Sequence, residues 1–252
     1  VELGQQLANL RQLGMNVLAV SYDSPAVWRH FFARKQLDYP FLADPESKLI
    51  DAFGLRNQAV NIDFMQGIPH PGVFLLDQHG RVTAKYFEED FRERFTIAAV
   101  LSGRFGRKAA PLGQFTGQRI RLTTGASSSV VRGGQRIRLT LEAALAKGLH
   151  VYAPGAPAEF IPVSWTLTGV KSTDPLWPPA DKRFQYSGTF RAARDITLPP
   201  LLKNETLVLE GAFRYQSCTN RLCYPPETVP LTWRFLSESH DRERVPPELQ
   251  RK

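Results

Sequence analysis

The chain has 252 residues, 42% of them hydrophobic and 11% aromatic, which suits one large domain or two ordinary ones and excludes a disordered polymer. No apolar run approaches the ~20 residues that cross a bilayer as a helix, so direct membrane insertion is not expected of this chain. The net charge of +8 is lopsided: residues 1–105 hold 11 Lys+Arg against 12 Asp+Glu, whereas residues 106–252 hold 21 against 12. These basic residues alternate with apolar ones, as in QRIRLTLEAAL, which reads as the solvated face of a sheet and argues against a nucleic-acid partner.

The opening, VELGQQLANLRQLG, has no charged-then-apolar leader pattern, and its Leu3, Leu7 and Leu10 share one helical face. NVLAVSY (16–22) reads as a buried strand. SPAVWRHFFARKQL (24–37) reads as a helix with Ser24 at its cap and Pro25 at its first position. An extended piece, a turn at Asp44-Pro45 and a second helix ending near Gly54 follow. GVFLLD (72–77) and RVTAKYF (81–87) form a hairpin through QHG, and DFRERFTIAAVLSGRF (90–105) reads as a closing helix.

GRKAAPLGQFTG (106–117), rich in Gly, Pro and Ala, reads as a linker. Residues 118–236 are short strands between Pro and Gly turns, with helical periodicity almost absent, which predicts an antiparallel sandwich. Residues 237–252 are charged and Pro-containing and are expected to be a disordered tail.

The only cysteines, Cys218 and Cys223, lie in FRYQSCTNRLCYPPETVPL. A structural staple, a metal site and a redox centre are the alternatives. If the flanking segments are two strands of a hairpin, the four-residue loop sets the cysteines opposite each other, about 4.5–5.5 Å apart at Cα and inside disulfide range. The loop so closed contributes only about 2 kcal/mol on the chain-entropy model, so a sandwich of this size does not need it as a staple. A metal would need about four ligands, and this half offers only the scattered His150 and His240. A close, solvent-reachable pair that opens without disturbing the fold suits electron transfer best. Arg221 lies inside the loop, either as a cation favouring a thiolate or as an ordinary solvated turn residue.

SYDS, YPFLADP and HPGVFLLDQHGRV, in this order of helices and strands, resemble the thioredoxin-like redoxins of the AhpC/TSA family over about residues 1–103. The resemblance implies an α/β thioredoxin-like domain over 1–105, with a cis proline at Pro71 before the third core strand. It also implies a nucleophilic cysteine at the start of the first helix. That cysteine and the first strand, which would lie between NVLAVSY and GVFLLD, are missing from this half, and a Cys motif and a signal are expected upstream of Val1.

GAFRYQSCTNRLCYPPETVPLTW, with KGLHVYAPG some 65 residues before it, resembles the N-terminal domain of the DsbD thiol–disulfide interchange family over about residues 118–236. The resemblance implies an all-β immunoglobulin-like sandwich with Cys218 and Cys223 as its redox pair and Tyr152 and His150 near them. No segment of this sequence matches the aromatic cap loop that shields the pair in that family; Phe184 and Trp177, in DPLWPPADKRFQYSG, are the candidates for it. The resemblance also implies a redox-active disulfide without any other cofactor, thioredoxin-fold partners, a membrane protein as electron donor, and a periplasmic or other extracytoplasmic location. Cys218 is the sulfur expected to be trapped with a partner when Cys223 is replaced. The alternatives are a non-catalytic interaction module with a structural disulfide, or a fragment of a thiol peroxidase.

Overall fold

The computed structural model describes residues 1–60, 67–202, 205–241 and 243–250. The chain divides into two compact units, Val1–Ile97 with His240–Lys252, and Ala98–Ser239.

The first unit mixes helices and strands. After α1 (Glu2–Gln5) and α2 (Leu7–Gln12), the parallel strands β1 (Ala19–Ser21) and β2 (Phe41–Ala43) are joined through α3 (Pro25–Lys35). Ser24 Oγ accepts the Val27 amide at the start of α3, Pro25 occupies a position where no donor is needed, and Gln36 ends the helix in a left-handed conformation. The helix buries Phe32, whose ring meets Tyr39 at 4.9 Å and Phe41 at 5.0 Å, while Trp28 stacks on Phe41 at 4.9 Å. This aromatic cluster fixes α3 on β2.

The second helix, α4 (Lys48–Ala52), is started by Asp44, whose carboxylate accepts the Ile50 amide at 2.9 Å. The expected hairpin is β3 (Gly72–Leu76) with β4 (Val82–Phe87), turned by Asp77, whose Oδ1 accepts the amides of His79 and Arg81. The two pairs, β1–β2 and β3–β4, are separate two-stranded sheets.

Three expectations for this region need correction. The His70–Pro71 bond is trans, not cis. The His70 amide donates to Leu55 O and the Glu88 amide donates to Pro71 O, so the backbone is held extended through Pro71 into β3. The closing helix, α5 (Ile97–Phe105), starts seven residues later than its periodicity suggests. Asp90 captures the Arg92 amide and guanidinium in a local turn, which competes with a helix, and β5 (Arg94–Phe95) follows. The stretch 106–117 is not a free linker, because β6 (Ala110–Thr116) pairs along β7 (Ile120–Ala126). Its Pro111 and Gly113 sit where the register shifts, a place where a sheet tolerates both residue types.

The second unit is an immunoglobulin-like sandwich. Besides β6 and β7 it contains β8 (Val130–Val131), β9 (Gln135–Leu145), β10 (His150–Tyr152), β11 (Ser164–Leu167) and β12 (Lys171–Ser172). It is completed by β13 (Gln185–Ser187), β14 (Thr189–Thr197), β15 (Thr206–Tyr215) and β16 (Glu227–Ser237). One sheet runs β11-β15-β16-β8 and the other β12-β14-β9-β7-β6, with β10 and β13 as a separate pair.

Strand alternation builds the core. Ile137, Leu139 and Leu141 of β9 face inward with Leu231, Trp233 and Phe235 of β16, and Trp233 stacks on Trp165 at 5.8 Å. The outward basic residues pair across strands, Arg138 with Asp195 at 2.7 Å and Arg191 with Glu142 at 2.5 Å. Arg194 is the buried exception, its guanidinium donating to Trp165 O, Thr173 O and Ser172 Oγ. In the charged C-terminal stretch, Asp241 pairs with Arg34 and Lys35, and Pro247–Leu249 make one short helical turn; residues 242, 251 and 252 lie outside the described residues.

Candidate redox site

The long hairpin β15–β16 ends its ladder at Tyr215 opposite Glu227, and the chain between them carries both cysteines. The Tyr215 hydroxyl donates to the Glu227 carboxylate, which also accepts the Gln118 amide. Burial, reinforced by this hydrogen bond, pushes the Tyr215 phenol well above its ordinary pKa. The base of the hairpin is thereby tied to the start of β7.

Beyond it Cys218 and Cys223 stand opposite each other, 4.0 Å apart at Cα and joined by a disulfide. The Tyr224 amide donates to Ser217 O at 2.9 Å and the Thr219 amide to Leu222 O at 2.8 Å. Those bonds lie on either side of the cysteines, which therefore form a non-hydrogen-bonded pair, the closer kind, with its side chains brought together. Thr219 Oγ1 accepts the amides of Arg221 and Leu222 and so closes the four-residue turn. The backbone of the turn is held without the S–S bond.

The two cysteines differ in exposure. Cys218 is 0% exposed, whereas Cys223 is an exposed residue, as are its neighbours Arg221 and Leu222. The difference comes from a third segment. The His150 amide donates to Cys218 O at 2.9 Å and the Cys218 amide to His150 O at 2.8 Å, so β10 covers the outer edge of Cys218. Two residues on, Tyr152 lies on the same face as His150, with the ring centroids 5.4 Å apart, and its hydroxyl accepts from Gln185 Nε2 at 3.4 Å. Of the residues expected beside the pair, His150 pairs with Cys218 through its backbone, and Tyr152 packs against His150. Arg221 is exposed within the turn.

Other contributors had no signal strong enough to single them out. Phe160 stacks on Tyr152 at 3.9 Å, and the Arg119 guanidinium lies 3.7 Å from the centre of the Tyr224 ring, next in sequence to Cys223. Both contacts join segments far apart or across a Pro-rich loop, where periodicity carries no information. Of the two cap candidates, Trp177 packs against the sandwich core. Phe184 is 44% exposed and lies beside β10, its carbonyl accepting the Ala153 amide at 2.8 Å. Its φ of 59° is a left-handed conformation rarely adopted by an aromatic residue.

A family model for the AhpC/TSA family matches residues 1–85. A second, for the N-terminal part of the thiol:disulfide interchange protein DsbD, matches residues 123–232 and so includes both cysteines. The chain joins an AhpC/TSA-like segment to a DsbD N-terminal-like one. No curated protein matches the chain.

Among solved structures, the N-terminal periplasmic domain of ScsB from Proteus mirabilis is 16% identical with a TM-score of 0.36; the match covers 51% of this chain and 52% of that one. The Neisseria meningitidis DsbD N-terminal domain in its reduced form is 14% identical at a TM-score of 0.24, over 38% of this chain and 80% of its own. The yeast GGA1 GAE domain is 11% identical at 0.29, over 50% and 98%. At such scores none of these three likenesses defines the fold of this chain, and the chain spans about half of the ScsB domain.

Proposed function

We propose that the protein is a thiol–disulfide oxidoreductase that passes reducing equivalents through Cys218 and Cys223 to or from thioredoxin-fold partners. The observation that carries this reading is the asymmetry of the pair, one cysteine exposed and the other buried, in a turn that also has backbone bonds of its own.

In the reducing direction, a partner thiolate attacks Sγ of Cys223, the bond between Cys223 and Cys218 breaks, and Cys218 leaves with the electron pair. The partner's second thiolate then attacks the mixed disulfide and releases Cys223. The partner becomes a disulfide and the protein a dithiol, with two protons taken up. Exposure supports Cys223 as the attacked sulfur, the reverse of the order expected from sequence. His150, paired with Cys218 through its backbone, and Tyr152, packed on His150, are the supporting residues of this reading. No step calls for a metal or organic cofactor.

An exchangeable disulfide needs an oxidising compartment, which favours the periplasm or another extracytoplasmic space. A membrane protein is a fitting electron donor for such a shuttle. The first unit contains no cysteine, so the exchange reading rests on the second.

The test is a non-reducing gel of each single cysteine variant mixed with a thioredoxin-fold protein lacking its resolving cysteine. Cys218→Ser, which keeps the exposed thiol, is expected to trap the mixed disulfide, and Cys223→Ser to trap much less. If neither variant is trapped and the wild-type pair has a potential well below about −300 mV, the pair is a structural staple and the proposal fails.

A further inference from the structure

His150 is 7% exposed, and its Nε2 is buried with no hydrogen-bond partner among the described residues. A buried polar atom without a partner costs stability, and a site that keeps one calls for a reason. The backbone supplies the direction. His150 and Cys218 exchange both of their amide bonds, which makes them a facing pair about 5.5 Å apart at Cα with side chains projecting from the same side of the ladder. Cys218 faces Cys223 on its other edge, so His150, the buried Cys218 and the exposed Cys223 stand in one row across the ladder.

In the oxidised protein Cys218 carries no proton and offers the imidazole nothing. Reduction places a thiol there, in a site with no access to solvent. We infer that His150 exchanges a proton with Cys218 through Nε2, as the base that activates the buried thiol when the disulfide closes and as the acid that protects it when the disulfide opens. The inference rests on the exchange reading above.

The closing step balances as follows. Nε2 takes the proton of Cys218, and the resulting thiolate attacks Sγ of Cys223 in the mixed disulfide. The Cys218–Cys223 bond forms, the bond from Cys223 to the partner breaks, and the partner leaves as a thiolate. The imidazolium so formed gives its proton up to solvent; in the opening direction the neutral ring first takes a proton from solvent and passes it to Cys218 as that sulfur departs. The charged and titratable groups around the ring are Asp181 and Arg183 from the loop before β13, the Tyr152 phenol and the cysteines. Burial holds the imidazole below its ordinary pKa, Asp181 opposing and Arg183 adding to the effect, so the ring is neutral near pH 7 and its base form is available.

The decisive measurement uses the full chain with Cys223→Ser, in which Cys218 is the only thiol, and follows thiolate absorbance near 240 nm against pH. Adding His150→Gln, which keeps a polar side chain but does not titrate, is expected to raise the Cys218 pKa by at least about one unit. In the otherwise wild-type chain the same change is expected to slow disulfide closure by about a hundredfold and to remove an inflection from its pH profile. An unchanged Cys218 pKa overturns the inference. Should His150→Gln disturb folding, the wild-type protein serves: the 15N shift of His150 Nε2 must respond to reduction by dithiothreitol, and an unresponsive shift overturns the inference equally. A Cys218 pKa that depends on His150 in a protein that fails to exchange with any thioredoxin-fold partner would sink the shuttle and leave the proton coupling standing.

Discussion

Opening the disulfide should cost little, and the structure sets the scale. The closed loop runs over the six residues from Cys218 to Cys223, for which loop entropy gives about 2 kcal/mol against a typical domain stability of 5–15 kcal/mol. The native contacts around the pair do not depend on sulfur. Tyr224 to Ser217, Thr219 to Leu222 and the reciprocal bonds of His150 and Cys218 are all backbone hydrogen bonds. The Tyr215–Glu227 link anchors the hairpin one step below.

We therefore expect the reduced full chain to keep its sandwich and to lose about 2 kcal/mol. With a urea slope of roughly 1–3 kcal/mol/M, the midpoint should fall by about 1 M with the slope unchanged. The assay is urea unfolding with and without reductant, read by the fluorescence of Trp165 and Trp233, which are buried in the second unit. A loss above about 5 kcal/mol, or a collapse of the slope on reduction, would refute this reasoning, because the disulfide would then be holding the fold together.

Two further predictions concern buried charge. Arg194→Met should destabilise the second unit by about 1–3 kcal/mol for each acceptor stranded, since the carbonyls of Trp165 and Thr173 lose their donor; a thermal-melt change within error would contradict that assignment. His150 binds protons less readily in the folded oxidised protein than in the unfolded chain, so between its lowered folded pKa and about 6.5 the unfolded state carries more protons. This contribution to stability is fully present above pH ~6.5 and is lost as pH falls through the folded value. Urea midpoints measured from pH 8 down to pH 5 should decline less in His150→Gln than in the wild type, and parallel curves would rule the contribution out.

The sandwich was legible because its signal is local and repeated. Alternation along 135–145 and 227–237 assigns the core face residue by residue, and a four-residue turn between two such strands brings Cys218 opposite Cys223. Composition was a weaker guide where Pro and Gly had a positional role. Pro111 and Gly113 sit at a register shift inside a strand, although together they resemble a linker. Helical periodicity over 90–105 was likewise overruled at its first seven residues by one side chain, Asp90, closing a tighter turn.

The cysteines show most clearly where reading a sequence along its length stops. Within CTNRLC the two cysteines are related by the near symmetry of a hairpin, and nothing in the segment tells the buried one from the exposed one. The distinction is made by residue 150, far upstream, whose strand pairs with Cys218 and not with Cys223 among the described residues. Cys218, paired on both edges, is buried, and Cys223, paired on one, is exposed. The proposed exchange, which needs one protected and one accessible thiol, thus depends on a three-segment ladder, and weakening the β10 contact should blur the two proposed roles even with both cysteines intact.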